Sequence, residues 1–438
     1  MRELPPEAPR PEQDRAAPVP NGGVAPGALP PPGRASDDAR ESFLPSKKRR
    51  GVALCLSGGG YRAALFHLGA VRRLNELGVL GRIDTITSVS GGSILAAHLA
   101  TTIGSRWPTG DGVVPNFDAA VAAPFHRIAQ RNIRTWPLLV GLVPWNLFRG
   151  HAAVTALEDQ YRAHLTRLRL SELPERPRFV VCATDMAYGV NWTFNRDEVG
   201  SYMAGYAAPP SGWTVARAVA ASSCFPPLFN PQPIGLDPSV LKGGRDPAGD
   251  ERNARVKGLR LSDGGLYDDM GLEPVWKSHA VILVSDGGST FDAGADAGLL
   301  WRLNRYVEVI GRQSGAQRKR WLISNFVEGV LRGTYWGIGT DIDNYEIGAV
   351  GYPLGLVKRL IAEIRTDLDR FEEGEGAILE NHGYLLADAA VRRHAGFLAA
   401  EPRPDPVPPY ERWMDSAIAE AALAESSKRK FPFGRGWP

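Results

Sequence analysis

Two short apolar runs, each closing on a glycine turn that leads into a helical pattern, constrain this chain more than any other feature. Residues 51–56 are apolar and end in Ser57-Gly58-Gly59-Gly60, after which Ala64, Leu65, Leu68, Val71, Leu74 and Leu77 recur at helical spacing. Gly78 is placed to stop that helix as a C′ glycine. Residues 83–89 read as a second strand, followed by Ser90-Gly91-Gly92 and a helix over 94–100. A strand, helix, strand series of this kind predicts parallel pairing and an α/β fold. Residues 179–183, 258–261 and 280–284 read as further buried strands. Beyond about residue 290 the pattern turns helical, with helices expected over 356–371 and 377–397.

Composition sets the outer bounds. At 438 residues, 43% apolar and 23% charged, the chain is long enough to bury a substantial core. Eleven of its 35 prolines fall in the first 45 residues, among hardly any aromatics, so 1–48 is expected to be a disordered tail. The remainder divides into an expected catalytic domain over 49–290, a helical extension over 291–424 packed on it, and a loose end over 425–438. A net charge of +3 is too small for a dedicated nucleic-acid binder. The three cysteines, Cys55, Cys182 and Cys224, are widely spaced and form neither a disulfide framework nor a metal pair, which fits a reducing, cytoplasmic compartment. No apolar run reaches the 18 to 20 residues of a spanning helix, so the chain is expected to be soluble or peripheral at a membrane.

The chemistry centres on Ser88-Val89-Ser90-Gly91-Gly92. A serine on a sharp strand-to-helix turn projects its hydroxyl and needs small neighbours, which makes Ser90 the candidate nucleophile. In the preceding turn, the amides of Gly58, Gly59 and Gly60 stand at a helix N-terminus where they can face a developing oxyanion. The rival reading, dinucleotide binding through Gly58-Gly59-Gly60-Tyr61-Arg62-Ala63, lacks the acidic residue that should end the second strand. A partly desolvated carboxylate beside the hydroxyl can take its proton without an imidazole. Two strand ends offer one, at Asp263-Gly264-Gly265 and at Asp286-Gly287-Gly288, and spacing alone leaves both open.

Taken in order, Gly58-Gly59-Gly60-Tyr61-Arg62, Ser90 and Asp263-Gly264-Gly265 resemble the patatin-like phospholipases. Residues 220–229 look like that family's A-S-x-x-x-P-x-x-F block, and 263–274 like its extended aspartate motif, which Asp286 lacks. The resemblance covers about 51–288, and 364–390 looks like a C-terminal segment of bacterial members. It implies a three-layer α/β/α fold with a mostly parallel central sheet. It also implies a Ser90–Asp263 dyad that hydrolyses lipid acyl esters through an acyl-enzyme, with Gly58–Gly60 as oxyanion hole and Arg62, Gly92 and Gly265 in support. Neither calcium nor another cofactor or metal is expected, and the substrate would be a lipid or phospholipid.

Two alternatives accompany that reading. One is a Ser-His-Asp esterase with His279 or His382 as base; the other is a catalytically silent lipid-binding protein of the same fold. The apolar segment 136–148, broken by prolines, is either core or an interfacial or lid element. With the cations and indoles of 301–321 it suggests peripheral contact with a membrane.

Overall fold

Strand β1 (Val52–Leu56) is buried along its whole length because it carries apolar side chains to both faces of a sheet. A computed structural model describes residues 49–147, 150–226, 228–288, 299–424 and 426. The tail expected over 1–48 and the loose end expected over 425–438, Ser426 apart, lie outside them.

Beside β1 run β2 (Thr85–Val89) and, on its other edge, β9 (Val281–Asp286), both parallel to it. β3 (Arg178–Asp185) continues the parallel series beyond β2. The far end turns antiparallel through β4 (Val190–Phe194), β5 (Val199–Ser201) and β6 (Gly205–Ala207). The short strands β7 (Gln232–Pro233) and β8 (Arg260–Asp263) pair with each other, and β8 also pairs with β3. At the opposite edge β10 (Arg332–Gly337) lies parallel to β9. The sheet is therefore mixed, with a parallel centre ordered β10-β9-β1-β2-β3.

The period of two in β1 separates two cores. Val52, Leu54 and Leu56 join the large cluster formed with α1 (Gly60–Glu76) and α2 (Gly91–Thr102). Ala53 and Cys55 face a smaller cluster with Met270, Leu272 and Leu322, the last on the long helix Leu299–Val327. Helices on both faces give the three-layer α/β/α architecture that the family resemblance implies. α1 ends as predicted, with Gly78 at φ 68° beyond the last helical residues. Helix Glu373–His394 packs across α1, where Gly69 and Gly383 admit the carbonyls of Glu380 and Phe66. Buried ion pairs, Arg72 to Glu380 and Arg73 to Asp388, both 2.7 Å, tie the two helices together.

The C-terminal part departs from the helical reading in two places. β10 arises within 291–424 and extends the central sheet beyond β9, so that stretch is not an all-helical addition. Residues 356–371 are not one helix, because after Val357–Ile361 the chain runs irregularly. Buried Arg365 there pairs with Glu375 and donates 2.6 Å to the Arg370 carbonyl, and these long-side-chain contacts prevail over local helix propensity.

Candidate active site

The carboxyl ends of the parallel strands gather the site, as expected for an open α/β sheet. Leu56 is in register with Ser88 on one side and Ser285 on the other, so the turns after β1, β2 and β9 emerge level with one another. β4 occupies one edge of β3 along Val181–Asp185, leaving the opposite edge to β2 and β8 in succession. β2 ends with Val89 opposite Cys182, and β8 ends with Asp263 opposite the next residue, Ala183. Two antiparallel strand ends thus meet head to head, and Ser90 and Asp263 face each other across the junction.

Ser90 has φ 47° and ψ −112°, a conformation few non-glycine residues adopt. Neighbouring glycines make the turn possible. A Cβ at Gly91 would strike Gly60, and one at Gly92 would strike the Leu56 carbonyl. The Gly92 amide donates 3.0 Å to the Ser57 carbonyl, locking the two turns together. Beneath the elbow, Ser88 is fully buried; its hydroxyl accepts from Ser93 at 3.1 Å and reaches the Val180 carbonyl at 3.4 Å.

Asp263 is 3% exposed, and burial pushes its carboxyl up to about 6. Hydrogen bonds from the Gly265 amide, 2.8 Å to Oδ1, and from the Ser90 hydroxyl pull the other way. The Thr184 hydroxyl holds the Asp263 carbonyl at 2.8 Å.

One residue links the two halves. The Ser90 amide donates 2.9 Å to the Ser222 hydroxyl oxygen, the Ser222 hydroxyl donates 2.6 Å to the Cys182 carbonyl, and the Gly264 amide donates 3.1 Å to the Ser222 carbonyl. Sequence reasoning flagged Ser222 only within the 220–229 block and assigned it no role; Pro227 of that block lies outside the described residues.

The glycine loop divides its amides. Gly58 donates 3.0 Å to the Asp269 carbonyl, whereas among the described residues nothing accepts the amides of Gly59, Gly60 or Gly91. Gly59, at φ 131°, and Gly60, at φ 59°, are in the region that glycine tolerates best. Arg62 is 1% exposed and braces this loop: Nη2 donates 3.0 Å to the Gly287 carbonyl and Nη1 2.9 Å to the Ile364 carbonyl.

Two further carboxyls border the site. Asp286 accepts the Gly288 amide at 2.9 Å and the Tyr335 hydroxyl at 2.6 Å. Asp269, which the sequence carries only as part of the 263–274 motif and without a role, sits beside Gly58, Gly265 and Gly288. Burial, then the neighbouring charges of Asp286, Asp263 and Asp268, push its carboxyl up to about 8. The histidines are engaged elsewhere. His382 is buried with Nε2 2.8 Å from the Ile338 carbonyl, and His279 lies between Ser278 and Thr85, each at 2.9 Å. His67 and His98, both pushed down to about 4 by burial, bond to the carbonyls of Ser57 and Val121.

Human GIVD cytosolic phospholipase A2 is similar at 14% identity, with TM-score 0.35 over 57% of this chain and 48% of that one, so the chain spans about half of that protein's length. A complex of the same human enzyme with methyl gamma-linolenyl fluorophosphonate aligns over 87% of this chain and 62% of that one, with 14% identity and TM-score 0.43. VipD from Legionella pneumophila aligns over 80% of this chain and 67% of its own, with 15% identity and TM-score 0.31. The comparison with curated proteins found no match. The family profile "Patatin-like phospholipase" matches residues 54–276, half of the chain, from the middle of β1 past the aspartate turn. The chain belongs to the patatin-like phospholipase family.

Proposed function

We propose that the protein is a lipid acyl hydrolase, a carboxylic ester hydrolase of phospholipase A or lysophospholipase type, working through a Ser90–Asp263 dyad. The observation that carries this is the strained Ser90 elbow set against the buried Asp263 carboxyl, whose raised pKa the Ser90 hydroxyl helps to lower. Asp263 takes the proton as Ser90 Oγ attacks the ester carbonyl, and the amides of Gly59 and Gly60 receive the oxyanion. Collapse returns that proton to the departing alcohol and leaves an acyl group on Ser90. Water, deprotonated by Asp263, then releases the fatty acid and restores the serine. The partners of His279 and His382 favour this two-residue scheme over a triad. Gly58 belongs to the same loop, but its amide is taken by the Asp269 carbonyl, so it is not counted with Gly59 and Gly60 as an oxyanion donor.

A fluorophosphonate probe and a p-nitrophenyl ester test the reading on purified protein. Wild type should be labelled at Ser90 and turn over ester, and Ser90→Ala should do neither while keeping its circular dichroism spectrum. Peptide mapping that finds the probe on Ser57, Ser88 or Ser93 would overturn the assignment.

A further inference from the structure

The segment 136–148 was open between core and interface, and its described part is both. Helix Thr135–Leu142 buries Pro137, packs Leu138 against the core, and brings Gly141 to Ala153 on helix Ala152–His164. Its other side, with the following turn Pro144–Leu147, leaves Trp136 60%, Leu142 69% and Trp145 78% exposed, flanked by exposed Leu139 and Val143. Phe148 and Arg149 lie outside the described residues.

This patch is fastened to the catalytic turn. Arg134, two residues before Trp136, forms a buried ion pair with Asp367, and the neighbouring Ile133 amide donates 3.1 Å to the Leu368 carbonyl. The Asp367 carbonyl in turn accepts the Tyr61 amide at 2.9 Å and lies 2.5 Å from where a Cβ on Gly60 would stand. Gly60 is in contact with Gly91, the residue after Ser90. The apolar face therefore hangs from the outer wall of the oxyanion turn.

Its charge is one-sided. From 119 to 157 the chain has no aspartate or glutamate but four arginines, Arg127, Arg131, Arg134 and Arg149. Arg127 and Arg131, which precede the apolar residues in the chain, are exposed. Tryptophans over aliphatic side chains, in a stretch of chain that carries arginines and no carboxylates, match the boundary of an anionic bilayer, where indole rings prefer the headgroup level and cations meet lipid phosphate. An eight-residue helix rises only about 12 Å, too short to span, so this is a surface contact. The other cationic, indole-bearing stretch is differently placed. The side chains of Trp301, Arg302, Arg305 and Arg312 lie outside the described ones, while Arg318 lies over Tyr267, Lys319 over Tyr335, and Trp321 meets Trp276 edge to face.

We infer that the Thr135–Leu147 hairpin docks the protein on an anionic lipid bilayer and so presents the Ser90 turn to the membrane. The functional meaning rests on the lipid hydrolase reading, whereas the docking itself is separately measurable. The full chain is sedimented with phosphatidylglycerol-rich and with pure phosphatidylcholine vesicles at low and high salt, and p-nitrophenyl ester turnover is measured in the same preparations. Wild type should bind the anionic vesicles, more weakly in salt, with a blue shift of tryptophan emission. Trp136→Ser/Trp145→Ser should lower vesicle binding roughly tenfold or more while its ester turnover and circular dichroism stay those of wild type. Arg127→Gln/Arg131→Gln should reduce binding to anionic vesicles only. Unchanged vesicle binding by the tryptophan variant, or no binding by wild type at low salt, overturns the inference. A dimer of wild type in sedimentation velocity that the tryptophan variant abolishes overturns it in favour of a second copy as occupant. Vesicle binding without ester turnover would sink the hydrolase reading and leave docking standing.

Discussion

The ends of β8 and β9 are nearly the same sequence, Leu-Ser-Asp-Gly-Gly and Val-Ser-Asp-Gly-Gly, and they fold the same way locally. In both, the aspartate Oδ1 accepts the amide two residues on, at 2.8 Å for Asp263 and 2.9 Å for Asp286. Their surroundings differ. β8 meets the end of β2 along a shared edge of β3, so the free side of Asp263 faces Ser90. β9 lies between β1 and the edge strand β10, so Asp286 takes the Tyr335 hydroxyl instead. Identical turn chemistry yields a candidate base at one strand end and a structural acceptor at the other, and strand order brings only the first of them to Ser90.

The sharpest break in that comparison is to neutralise each aspartate. Asp263→Asn should lower kcat on a soluble ester roughly 10⁴-fold, since serine and base act as a unit. Asp286→Asn, His279→Ala and His382→Ala should stay close to wild type when folded. An active Asp263→Asn beside an inactive, folded histidine variant would reverse the assignment.

Gly59→Ala comes next. A Cβ there stands 2.8 Å from the Gly287 carbonyl, on a backbone at φ 131°. Displacing one oxyanion donor should cost about 100-fold in kcat. An unchanged kcat in a well-folded variant would remove the loop from the mechanism.

Ser222 tests whether the two halves are coupled. Ser222→Ala leaves the Ser90 amide without its acceptor, and one lost hydrogen bond of about 1.4 kcal/mol corresponds to about tenfold in kcat. The loss should fall on kcat, with KM little moved, because the bond orients the Ser90 elbow.

The smallest effects are on pH. As a base, Asp263 must be ionised, so kcat/KM should fall as pH drops through about 6 in both wild type and Asp286→Asn. Asp269 adds a stability effect of opposite direction. Its folded carboxyl is raised to about 8 from the usual 3.8, so the folded state keeps a proton the unfolded chain has lost. The associated stability is full below about pH 4 and lost as pH rises through 8. Asp269→Asn should therefore raise Tm more at pH 8 than at pH 5, and equal shifts at both would show that its carboxyl is ionised throughout.

Much of this was legible from spacing. The strand-turn-helix units around Gly58–Gly60 and Ser90, and the stop at Gly78, follow from residue types within a few positions of one another. The helical reading of 356–371 failed because Arg365 reaches Glu375 and the Arg370 carbonyl, contacts that local periodicity does not carry. β10 escaped notice for a related reason: its burial comes from β9 and Tyr345, and its own pattern is weak.

By itself the sequence determined the local turns: which amides are free of side chains, where a serine must project, and where an aspartate folds back on its own backbone. Tertiary structure decided which of these met. The head-to-head arrival of β2 and β8 on β3 chose Asp263 as the neighbour of Ser90. The backbone of Asp269 took the Gly58 amide, leaving those of Gly59 and Gly60 unclaimed. Ser222 became the shared anchor of both turns only through contacts 132 residues apart in the chain. Short-range sterics and hydrogen bonding set the first group, while sheet order and register, which depend on the burial of the whole core, set the second.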